Sequence, residues 1–138
     1  MARTKNWPKK LSDYIDAHKT ALFEFGRFDC GHFANGAIEV VTGLRPLDAD
    51  DYKDETSKDD VVASYGSIGV MAETLLGASG FKEISAKLAG RGDVVLLKNG
   101  DGGEIIGIIG VDSTPIVPNI RGLTRLRRTD VLRAWRIE

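Results

Sequence analysis

The sequence predicts an α+β domain in which N-terminal helices pack on a C-terminal antiparallel sheet or half-barrel, because the spacing of its apolar residues changes once along the chain. As far as Gly80 they recur at helical intervals, and from Phe81 they gather in short β-branched runs divided by glycine and asparagine. With 138 residues, 42% hydrophobic and 28% charged, the chain is long enough for one ordinary core, and a single domain over residues 1–138 is expected.

Pro8 suits the first turn of a helix, and Leu11, Tyr14, Ile15 and His18 follow at i, i+3, i+4 and i+7 as one amphipathic stripe. A second helix should open with Asp29 as N-cap, carry Cys30, Phe33, Ala34, Ala37 and Val41 on one face, and stop at Gly43. Leu44 to Asp60 reads as a loop, solvated or facing a basic partner, with seven acidic residues (Asp48, Asp50, Asp51, Asp54, Glu55, Asp59, Asp60) against three basic ones (Arg45, Lys53, Lys58). Val61-Val62, Tyr65, Val70-Met71 and Leu75-Leu76 then mark two short helices limited by Gly66, Gly69, Gly77 and Gly80. Strands are expected over Asp93 to Leu97, Ile105 to Val111, Leu123 to Arg128 and Val131 to Ile137. The first two should form a hairpin, since Asn99-Gly100-Asp101-Gly102-Gly103 between them tolerates positive φ.

A net charge of -1 and a pI near 6.1 give no global pull toward nucleic acid or an anionic membrane, so any electrostatic partner must meet a local patch. One cysteine cannot form an internal disulfide, and two histidines do not supply a structural zinc site; no metal or other cofactor is called for. The basic start from Met1 to Asn6 runs into Trp7-Pro8 without an apolar stretch, and nowhere do about eighteen apolar residues run together, so neither a signal nor a membrane span is expected.

Cys30 is the residue that points to chemistry. Backbone N–H groups and the positive dipole end at a helix start favour thiolate. A working nucleophile also needs a base within hydrogen-bond reach, a polar group to orient that base, and donors for an oxyanion. His32 lies two residues on, about 200° around the helix, so its ring should point away from the thiol. His18 belongs to the inward stripe of the first helix and reads as a core-edge histidine. Cys30 is thus open to three readings: relic of a catalytic site, small buried residue, or nucleophile with an unusual base. A metal at Asp29-Cys30-Gly31-His32 would need ligands from a neighbouring chain.

Arg91-Gly92-Asp93 opens an apolar strand, where a turn and a hydrogen bond to backbone account for the glycine and aspartate. The last twenty residues are locally basic, and Arg125, Arg127 and Arg128 form either a solvated sheet face or a docking surface for an acidic protein, with nucleic acid a weaker third reading. Trp7 and Trp135 would close the core between the termini or serve as exposed anchors.

A cysteine opening a helix packed on an antiparallel sheet, with a strand starting Arg91-Gly92-Asp93-Val94-Val95, resembles the papain-like fold of NlpC-type cell-wall peptidases. More closely, Phe25-Gly26-Arg27-Phe28-Asp29-Cys30, Val41-Thr42-Gly43, Tyr52, Gly92-Asp93-Val94-Val95, Gly122-Leu123 and Ala134-Trp135-Arg136-Ile137 together resemble a family of small tailed-phage and prophage proteins, an offshoot of the NlpC type. The resemblance runs from Trp7 to Ile137 and implies a tail-tip or baseplate component of the virion, made in the bacterial host cytoplasm and partnered by tail hub, distal tail or baseplate subunits.

The NlpC-type pattern carries its catalytic histidine as His-Val-Gly-Ile in the second strand. This chain has Ile105-Ile106-Gly107-Ile108, so Ile105 occupies the base position, and Asn119, at the third polar position, has nothing to orient. General-base help is worth roughly 10²–10⁴-fold, and isoleucine supplies none. The resemblance therefore implies a degenerate peptidase domain kept for assembly and docking; the alternative is an active cysteine peptidase acting on peptidoglycan during DNA delivery. A stand-alone adaptor in the host cell is a third reading.

Overall fold

The computed structural model describes residues 3–138; Met1 and Ala2, the first residues of the basic start, lie outside the described residues. Four helices come first: α1 (Trp7–His18), α2 (Cys30–Thr42), α3 (Glu55–Tyr65) and α4 (Ile68–Ala78). Six strands follow: β1 (Lys82–Ile84), β2 (Val94–Lys98), β3 (Glu104–Ile109), β4 (Pro115–Asn119), β5 (Gly122–Arg125) and β6 (Val131–Arg136). They form one antiparallel sheet in the order β1-β6-β2-β3-β4-β5. The α+β class expected from the sequence is the one observed. Among the described residues, no single helix is long and apolar enough to cross a membrane.

α2 has the expected ends. The Asp29 carboxylate accepts from the His32 amide at 2.9 Å, capping the first turn, and Gly43 ends the helix with φ of 87°, a conformation costly for any residue with a Cβ. The predicted Leu44 to Asp60 loop is too long. α3 begins at Glu55, because Asp54 accepts from the Ser57 amide while the Ser57 hydroxyl accepts from the Asp54 amide, a reciprocal capping box inside the acidic run. A short 3₁₀ turn, Asp48–Asp51, precedes it.

The hairpin joining β2 and β3 is as expected, with Val94 opposite Ile108 and Lys98 opposite Glu104. Two strands went unforeseen. β1 has only three residues, and β4 begins with a proline and contains another. The predicted strand from Leu123 to Arg128 stops at Arg125, since Arg128–Asp130 turns as 3₁₀.

The main core lies between the helices and one sheet face: Leu11 from α1, Phe33, Ile38 and Val41 from α2, Met71 and Leu76 from α4, and Val94, Leu96, Ile106, Ile108 and Trp135 from the sheet. A smaller cluster of Val95, Leu97, Ile109, Val117 and Ala134 fills the other face. Both faces of β2 are therefore covered, and this is why Val94-Val95-Leu96-Leu97 is apolar without alternation. Trp135 is a core residue, and Trp7 packs on the same cluster with the Arg3 guanidinium 4.2 Å from its ring centroid.

Asp93 is fully buried and ties the two ends of the described chain together. It accepts from Arg3 at 3.2 Å, Arg136 at 3.1 Å, and the Gly90 and Ile137 amides at 2.9 Å and 3.1 Å. The Arg91-Gly92-Asp93 tripeptide thus has the structural role expected of it.

Candidate functional site

The ladder between β3 and β4 is confined to Ile108 with Ile116 and Ile109 with Pro115. Pro115 and Pro118 bring no N–H donor, and beyond this short ladder the two strands form one wall of a cleft of about 510 Å³. The start of α2, the β2–β3 hairpin, Tyr52, the first turns of α3, Phe23 and Phe25, and Ile68, Ile120 and Leu126 complete its lining. Cys30, Ile105 and Asn119, the three positions to which the resemblance assigns nucleophile, base and third polar residue, line this one cleft.

The thiol does not have the character its place on the helix suggested. Burial pushes Cys30 above its ordinary value of 9.0, the Asp29 carboxylate adds to the rise, and the Ile106 backbone, Lys58 and the Gly31 backbone offset it only in part. Thiolate is disfavoured, so the effect expected of the helix dipole is overridden by desolvation. Ile105 lies beside the thiol's backbone neighbour Ile106, but its side chain packs with the cluster on the sheet face turned from the helices. Asn119 is exposed; its carboxamide oxygen accepts from the Ile120 amide at 2.6 Å, and its backbone oxygen accepts from the Phe23 amide at 3.2 Å.

Asp29 organises the start of α2. Burial alone would raise its carboxyl, but hydrogen bonds from the His32 ring and from the Gly26 and His32 amides hold it below the usual carboxylate range. Oδ1 accepts from His32 Nδ1 at 2.8 Å and from the Tyr52 hydroxyl at 3.4 Å, while Oδ2 accepts from the Gly26 amide at 2.9 Å. Gly26 is required there: its φ is +84°, and a Cβ would fall 1.9 Å from the Lys53 carbonyl carbon. Tyr52 is pushed well above the ordinary phenol range, first by burial and then by Asp29 and Cys30.

Both histidines line a different concavity, of about 250 Å³, with Tyr14, Arg27, Phe28, Glu39 and Arg45. His32 is held to Asp29, with its ring edge-on to Tyr52 at 5.2 Å. His18 Nδ1 donates to the Tyr14 carbonyl at 2.7 Å, and its ring stacks on Phe28 at 5.3 Å. Among the described residues, no histidine lines the Cys30 cleft, and no three His, Cys, Asp or Glu side chains are arranged to hold a metal ion.

The three arginines differ. Arg125 and Arg127 have side chains 73% and 82% exposed, and each faces one carboxylate, Asp112 at 2.7 Å and Asp130 at 3.4 Å. Arg128 is turned to backbone: it donates to the carbonyls of Ser113 at 2.9 Å and Ala89 at 3.0 Å, fastening two loops. Sequence reading missed the aromatic wall of Phe23 and Phe25, whose rings meet edge to face at 4.7 Å, because it lies outside regular structure.

No curated protein matches the chain. One family model, described as a domain of unknown function (DUF6950), matches residues 2–137. Matched along nearly its whole length, the chain belongs to the DUF6950 family.

Proposed function

We propose that the chain is a degenerate cysteine-peptidase domain of papain-like, NlpC-type architecture that serves as an assembly and docking module at the tip or baseplate of a phage tail. The observation that carries the loss of catalysis is the separation of thiol and imidazoles. Cys30 opens α2 under β3 in a cleft that neither histidine lines, and both rings are engaged in the other concavity. A half-buried thiol pushed up in pKa by desolvation, in a cleft without an imidazole, does not supply the nucleophile that acyl transfer requires.

The tail role is supported by the order of short motifs from Phe25 to Ile137. Arg125 and Arg127 are the exposed basic side chains available for docking on an acidic tail subunit, whereas Arg128 is committed to the fold.

Gradient-purified virions from cells producing the tagged chain, analysed by mass spectrometry, test this reading. The expected result is stable association with tail proteins, unchanged by Cys30→Ala, with infection also unchanged. Absence from the particles would reject the tail role. Normal particles that lose infectivity with Cys30→Ala would restore the alternative, a peptidase acting on peptidoglycan.

A further inference from the structure

The Cys30 cleft has an apolar bed with carboxylates around it. Phe25 and Ile120 mark the apolar part; Ile120 is 71% exposed, and Leu22, 66% exposed, sits close by through the Phe23 to Asn119 backbone bond. The lining holds four carboxylates against the single cation Lys58; Asp29 is taken up by His32, Tyr52 and the Gly26 amide, which leaves Glu55, Asp101 and Glu104 to face an occupant. That cation is already engaged, 2.7 Å from Asp59 and 4.9 Å above the Phe25 ring. An occupant must therefore bury apolar groups and bring positive charge, and the same carboxylates repel a phosphate backbone.

We propose that this cleft seats an extended segment of a partner protein in which lysine or arginine alternates with apolar side chains, and this rests on the docking reading above. Alternation fits because apolar side chains meet the bed while the intervening cations reach the carboxylates.

Fluorescence anisotropy of the full chain with two blocked decapeptides, one alternating leucine with lysine and the other leucine with glutamate, tests this. The lysine peptide should bind, more weakly as salt is added, and the glutamate peptide should not. The isosteric triple variant Glu55→Gln, Asp101→Asn, Glu104→Gln keeps the acceptors for the Gly103 and Gly69 amides and should weaken binding roughly tenfold with an unchanged melting temperature. Equal binding of both peptides, binding of neither, or an unaffected triple variant would overturn the proposal. Self-association of the free chain that the triple variant abolishes would assign the cleft to a second copy and overturn it too. Tail copurification separates the two levels: particles that hold a chain deaf to the lysine peptide sink the cleft assignment alone, and a chain that binds the peptide but is missing from particles sinks the tail reading alone.

Discussion

The cleft over Cys30 and the concavity over His18 and His32 meet at one carboxylate and divide what a cysteine peptidase keeps together. The first holds a thiol and no imidazole; the second holds both imidazoles and no thiol. Asp29 links them, since it lines the cleft while its Oδ1 takes the His32 ring. The same side chain caps α2 and adds to the rise in the Cys30 pKa, so it stabilises the helix while leaving its first residue less reactive. A helix N-terminus alone does not make a nucleophile: desolvation under β3 outweighs the dipole.

Removing the divider should have the largest effect. Asp29→Ala loses an N-cap and leaves the Tyr52 hydroxyl and the Gly26 amide without their acceptor, so it should cost about 2–4 kcal/mol by urea denaturation. A loss well under about 1 kcal/mol would show that Asp29 does not hold this junction. Asp29 also sets a pH dependence. Its folded carboxyl is held below the ordinary value of 3.8, so its contribution is present above that value and is lost as pH falls through the depressed one. Asp29→Asn should flatten that acid limb; an unchanged limb would assign it to other carboxylates.

The next change moves an imidazole across the division. Ile105 packs on the second cluster and also lines the Cys30 cleft, so Ile105→His with its ring turned into the cleft should raise the rate of thiol alkylation at neutral pH about tenfold. An unchanged rate would count against Ile105 as the position of a base. Cys30→Ala should cost only about 1 kcal/mol, because a small half-buried side chain is replaced by a smaller one. A melting temperature lowered as far as in Asp29→Ala would make the thiol a packing residue of the first rank.

Much of this was legible in the sequence where local chemistry decides. Asp29 and Gly43 announce both ends of α2, and Asn99 to Gly103 announces the hairpin. The start of α3 was hidden because its capping box uses Ser57 where glutamate or glutamine is usual, inside a run that looks merely solvated. β4 was hidden by its prolines, and β1 by its brevity, since a three-residue strand exists only through its pairing with β6. Of the candidate site only positions were legible: Cys30, Ile105 and Asn119 line one cleft, and the His32 ring is held to Asp29 outside its lining. The suppression of the Cys30 thiol was not legible, because it comes from desolvation in the assembled fold, which no local motif encodes and which the contacts with the Ile106 and Gly31 backbone and Lys58 offset only in part.

The pH dependence of Cys30 alkylation by iodoacetamide, in the folded wild-type chain and in His18→Ala and His32→Ala, tests the separation of thiol from imidazole most directly. The prediction is a slow reaction that rises only above pH 9, the ordinary thiol value, with the same profile in all three proteins. A rise below neutral pH that disappears in either histidine variant would contradict it and show the thiol coupled to an imidazole.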